Sequence, residues 1–127
     1  MVVSFNFKIS RHMKEFLFIF RGGDARQQQV SPEAMQQHMQ KWTSWMQKLA
    51  SENKMLAGQP LAGDGKVIAG KSKKITDGPY AEGKEMIGGY LLVKANDYAE
   101  AVELSMDCPG FELDGSVEVR EIQQLAT

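Results

Sequence analysis

The sequence predicts an α+β sandwich, one antiparallel sheet carrying two helices on one face. Three observations lead there. Strand-like and helix-like segments follow one another as β, α, β, β, α, β, two βαβ halves in series, which is the order of a ferredoxin-like domain. Both helical segments open on a recognisable cap. The main strands are short apolar runs bounded by Gly, Asp and Pro.

The first strand, Lys14-Glu15-Phe16-Leu17-Phe18-Ile19-Phe20-Arg21, is a continuous aromatic and aliphatic run that predicts burial on both faces. Ahead of it, residues 1–13 alternate weakly through Val3, Phe5, Phe7 and Ile9 and form an arm, either an extra strand or a frayed tail. After Gly22-Gly23-Asp24 and a Gln-rich loop, Ser31-Pro32-Glu33 starts a helix: a hydroxyl cap, a proline at the first helical position and an acid at the positive end of the dipole. Met35, Met39, Trp42, Met46 and Leu49 form one apolar stripe that carries the helix to about Asn53, with His38 and Trp45 flanking it. Met55 to Leu61 is a second strand, edged by Pro60. Lys66-Val67-Ile68-Ala69 and Lys73-Lys74-Ile75 make a small hairpin around Gly70, and its lysines guard an exposed edge. Met86 to Lys94 is the third main strand. Gly88-Gly89 inside it predicts a bulge or a close approach by another backbone or a ligand. Asp97 and Glu100 have capping-box spacing and open a helix to about Met106 that buries Tyr98, Ala101, Val102 and Leu104. From Ser116 to Ile122 apolar and polar residues alternate, a half-buried last strand. The domain so defined spans residues 14–123, with 124–127 as a C-terminal tail.

Helices on one face leave the other face of such a sheet bare, yet the first strand is apolar on both sides. A second copy of the same sheet is the simplest cover, which predicts a homodimer with its sheets face to face, a dimeric α+β barrel.

Composition narrows the function. Fifteen Lys and Arg stand against 16 Asp and Glu, a balance that excludes binding driven by phosphate neutralisation, so neither nucleic acid nor a membrane surface is an expected partner. Cys108 is the single cysteine, which rules out an internal disulfide and suits a reducing cytoplasm. With one cysteine and two histidines no zinc site is expected, and neither GxxxxGK[ST] nor GxGxxG is present, so no metal and no cofactor is implied. Cys108 before Pro109 lies at a helix C-terminal end, where a thiolate is disfavoured, and core packing is its expected role.

The stretch Ile75 to Tyr90 concentrates the chemistry. Asp77-Gly78-Pro79 is a turn signal, followed by Tyr80 and Lys84, on a rigid polar loop feeding a buried strand. Asp77 is a turn-former, a ligand-orienting carboxylate or a general base; Tyr80 packs, stacks or hydrogen-bonds; Lys84 covers a sheet edge or holds an anion. His38 and Trp42 complete a predicted cleft between the first helix and the sheet.

The stretch DGPYAEGKEMIGGYLLVKA, with DYAEAVELSMDCP, GSVEVREI, MQKWTSWMQKL and MLAGQPL, resembles the DGPF-type YCII-related family over roughly Glu15 to Ile122, with Tyr80 where the family motif has Phe. The resemblance implies a dimeric α+β barrel of ferredoxin-like protomers in the bacterial cytosol and a suggested regulatory link. Wider relatives carry a His-Asp pair proposed as an active site, and a few act on chlorinated aromatic acids or quinols. Matched to this chain, those positions fall near Trp42 and Cys108, so the pair is absent.

Three readings follow. The first is a protein that binds a small aromatic or carboxylated metabolite through Trp42, His38, Asp77, Tyr80 and Lys84. The second is an enzyme using Asp77 or His38 as acid/base in the same cleft. The third is a regulatory interaction partner without a pocket.

Overall fold

The computed structural model describes residues 13–78 and 85–125. Among these residues six strands and two α-helices follow in order: β1 Lys14–Arg21, α1 Pro32–Ser51, β2 Met55–Pro60, β3 Lys66–Ala69, β4 Lys74–Asp77, β5 Ile87–Ala95, α2 Tyr98–Ser105 and β6 Ser116–Glu121. Two short 3-10 helices, Ala25–Gln27 and Pro109–Leu113, are additions that no residue pattern announced. The main sheet has the order β2-β5-β1-β6 with every neighbouring pair antiparallel, the ferredoxin-like arrangement. The β3–β4 hairpin forms a separate two-stranded sheet. The predicted arm over residues 1–13 lies almost wholly outside the described residues, as do Pro79 to Lys84 and the end of the C-terminal tail.

Both helices lie on the face that carries Phe16, Phe18 and Phe20. Phe18 stacks on Trp45 at 6.4 Å between ring centroids, and Phe16 meets Tyr98 edge-to-face at 5.0 Å. Leu49, Leu91, Val93, Ala95 and Ala101 close the core around them. Caps form as the residues predict. Ser31 Oγ accepts from the Ala34 N–H at 3.1 Å, Asp97 Oδ1 from the Glu100 N–H at 2.8 Å, and Glu100 Oε1 reaches back to the Asn96 N–H at 2.7 Å.

Three expectations are corrected. First, β1 is not buried on both faces: its phenylalanines are buried, but Leu17 and Ile19 on the alternate positions are half-buried. Second, the buried stripe of α1 is His38, Trp45 and Leu49, with Trp42 half-buried beside it, and Met39 is exposed. Both stripes have helical period and share Trp42 and Leu49; burial goes to the side whose aromatic bodies reach Phe18 and Phe20. Third, α2 exposes Tyr98 and Val102 and buries Ala101 and Ser105, with the expected Leu104 partly buried against the core.

Gly88-Gly89 does what its position in a strand suggested. The β1–β5 register shifts between Phe20 and Arg21, opposite Gly89 and Ile87, leaving Gly88 as the extra residue of a bulge. A Cβ on Gly89 would stand 2.9 Å from the Gln59 carbonyl oxygen of the neighbouring strand.

Candidate functional site

At the C-terminal end of β1 the chain turns through two left-handed glycines, Gly22 at φ 63° and Gly23 at φ 61°. Gly23 packs so closely on the 3-10 segment after α2 that a Cβ there would lie 2.5 Å from the Gly110 carbonyl oxygen and 2.8 Å from Gly115 Cα. This backbone crossing sets the next residue, Asp24. Its carboxylate caps the first 3-10 helix, accepting from the Arg26 N–H at 2.9 Å, and takes the Arg26 guanidinium at 3.0 Å (Nε to Oδ1) and 2.6 Å (Nη2 to Oδ2). Arg26 Nη2 also donates to the Leu61 carbonyl at 3.0 Å, tying the turn to the end of β2. Across the turn lies the bulge: a Cβ on Gly88 would meet Asp24 Oδ2 at 3.2 Å, so a glycine there keeps the carboxylate's space open.

The Arg26 side-chain bonds hold Asp24 below the usual carboxylate range against the opposing effect of burial, with the Arg26 N–H, the Arg26 charge and His38 adding to the pull. Asp24 is therefore an anion held in place.

His38 comes to this corner from α1. Its Nε2 accepts a hydrogen bond from Trp42 Nε1 at 3.0 Å, one helical turn on. An indole N–H only donates, so Nε2 supplies the lone pair in this bond and leaves Nδ1 as the nitrogen that can donate. No buried side-chain nitrogen or oxygen among the described residues lacks a partner, and Nδ1 bonds to no described group. The small part of His38 that solvent reaches, 7 %, therefore includes Nδ1. Trp42 is itself fixed edge-to-face against Phe20 at 4.9 Å and Trp45 at 5.6 Å. A buried imidazole, aimed by an immobilised indole, thus presents one N–H outward.

Of the residues singled out in the sequence, His38 and Trp42 are brought together. Asp77 is not joined to them. It ends β4 on the hairpin, its side chain is 81 % exposed, and its partner is Lys66, directly opposite on β3. Tyr80 and Lys84 lie outside the described residues. Asp24 and Arg26 were not among the expected site residues. The signal for them was the Gly-Gly-Asp that follows an apolar strand, a tight turn delivering an acid to the sheet's end.

The space between α1 and the sheet is filled by Phe18, Phe20, Trp45 and Leu49. Open volume lies on the outer sides of α1. A groove of about 730 Å³ runs between α1 and the 106–112 segment, past Lys41, Met106, Cys108 and Phe111, and a cleft of about 280 Å³ separates α1 from α2. Cys108 is buried, and its thiol is pushed up to about 11 by desolvation, which the Gly110 N–H to Sγ bond at 3.4 Å only partly offsets. It is an unreactive thiol at neutral pH. No group of three or more metal-ligating side chains occurs among the described residues.

The profile of the YCII-related domain matches residues 17–126. The chain belongs to the YCII-related domain family. No curated protein sequence matches it. Among solved structures, this YCII-related domain is similar to 5-chloro-2-hydroxyhydroquinone dehydrochlorinase from Burkholderia phenoliruptrix, in its complex with 2,5-dihydroxybenzoquinone. The likeness has 14 % identity and a TM-score of 0.49, over 86 % of this chain and 93 % of that one. No helix of the described YCII-related domain is long and apolar enough to cross a membrane.

Proposed function

We propose that this YCII-related protein binds a small aromatic or carboxylated metabolite at the corner where His38, Trp42, Asp24 and Gly88 meet, and does so as a cytoplasmic homodimer. The observation that carries the reading is the outward Nδ1–H of an otherwise buried His38. An acceptor on the ligand, a carboxylate or carbonyl oxygen, satisfies it, and the fixed Asp24 charge repels a ligand's anionic end and so turns it away from the Asp24 side. Binding is favoured over acid–base catalysis for two reasons. The Nε2 lone pair a base would use is already taken by Trp42, and Asp77 is solvated and ion-paired.

The homodimer is supported by the sheet's second face. Leu17 stands opposite Leu92 and Ile19 opposite Tyr90, a half-buried apolar strip rimmed by Arg21, Glu118 and Arg120.

A thermal-shift screen against benzoate, salicylate and related hydroxylated acids tests the binding reading, since a ligand of the folded state raises the midpoint by mass action. We expect a shift that His38→Ala abolishes. No shift with any such acid, or a shift untouched by His38→Ala, rejects the site. Sedimentation showing a stable monomer at micromolar concentration rejects the dimer.

A further inference from the structure

We infer that the β3–β4 hairpin is an arm that clasps helix α2 of a second copy of this chain. The inference rests on the homodimer reading and adds a contact to it. Two strands alone are marginal in water, and among the described residues this pair forms a sheet of its own. Its registered partners Ile68 and Ile75 stand directly opposite one another, so both point to one face, and they are 63 % and 67 % exposed. A β-branched cross-strand rung left this bare is the surface of an interface rather than of a free hairpin.

Charge identifies the occupant. Residues 64–77 hold Lys66, Lys71, Lys73 and Lys74 against Asp64 and Asp77, a net +2 in a chain whose total is −1, so the rest of the chain is at −3. Lys66 is paired with Asp77, whereas Lys71, Lys73 and Lys74 have no ion-pair partner among the described residues. The matching surface is on α2. Tyr98, Val102 and Met106 recur every four residues as an exposed apolar stripe. Beside it run Glu103, which forms no ion pair among the described residues, and Asp107, held only by an exposed Lys48 at 3.7 Å. The hairpin carries a surplus of lysines, Lys71 and Lys73 in its turn and Lys74 on the face away from the rung, and α2 carries acids beside its apolar stripe; the opposite charges favour the pairing, and a two-fold dimer makes the same contact twice.

The test is a charge exchange read by sedimentation equilibrium. Lys73→Glu/Lys74→Glu, and separately Glu103→Lys/Asp107→Lys, are each expected to weaken dimerisation by about tenfold or more, and the four changes together to restore it. All lie on exposed positions, and circular dichroism confirms that each variant folds. Arm variants that leave the dimer constant unchanged, or a combination that fails to restore it, overturn the arm. Ile19→Glu, on the sheet face, separates the two ideas: if it yields monomers while the arm variants do nothing, the sheet dimer stands and the arm falls. A wild-type monomer at micromolar concentration removes both.

Discussion

The two faces of the main sheet are made of the same strands and differ in what finishes them. The inner face is completed within one chain: Phe16, Phe18 and Phe20 are buried and meet Tyr98, Trp45 and Trp42 in ring contacts. The outer face presents Leu17, Ile19, Tyr90 and Leu92 only half-covered, behind a rim of ion pairs. A strand alternates its side chains with perfect regularity, so an apolar residue at every position cannot be satisfied by one layer of helices. The first face makes a fold, whereas the second asks for company.

Substitutions separate the two. Phe18→Ala, at a fully buried ring, is expected to cost about 3–5 kcal/mol in urea unfolding, enough to remove most of a small domain's stability. Ile19→Ala, one residue on, should cost under about 1.5 kcal/mol in a dissociated protomer. Equal losses at both positions would erase the distinction between the faces. Next in size come the backbone crossings that frame the inner face. Gly23→Ala forces a Cβ to 2.5 Å from the Gly110 carbonyl oxygen at a left-handed φ, and a loss of about 2–4 kcal/mol is expected. Gly70→Ala is the control for strain alone: φ is again left-handed but nothing lies within 4 Å, so a loss of about 1 kcal/mol should be measured.

Asp24→Asn sharpens the comparison at the sheet's end. It keeps the shape and removes the charge from the Arg26 pair, with an expected loss of about 1–2 kcal/mol at neutral pH. The folded carboxyl lies below its ordinary value. Its contribution is therefore complete above the unfolded value near 3.9 and disappears as pH falls through the lower folded one. Wild type and variant should accordingly converge below about pH 4; a constant gap across that range would mean the charge contributes nothing. The smallest effect is chemical. Cys108 should resist alkylation by iodoacetamide at pH 7.5 in the native state and react readily in denaturant, and fast native labelling would contradict its burial.

Asp24 and Asp77 show where reading from residues stops. Each follows or opens a glycine turn, and each pairs with a cation. Asp77 carries the more conspicuous motif, Asp-Gly-Pro, but the hairpin holds it out in water with Lys66. Asp24 sits in a plainer Gly-Gly-Asp, but the chain folds that turn against Gly110, Gly115 and the Gly88 bulge, leaving its side chain 14 % exposed beside His38. A turn motif reports local dihedrals; it carries no information on how much protein lies around it. The same limit applies to α1, where period alone allowed a stripe through Met39 as readily as one through His38 and Trp45.

By itself the sequence determined the element order, the caps of both helices, the break that Gly88-Gly89 makes in the third main strand and the family, because these depend on neighbours along the chain and on side-chain period. Only the tertiary structure decided which face of α1 is buried, which aspartate is held as a fixed anion, and that Trp42 turns His38 into an outward donor. Those outcomes depend on contacts between segments far apart in sequence, where a shift of one residue around a helix or one glycine in a strand moves a side chain from solvent to the site.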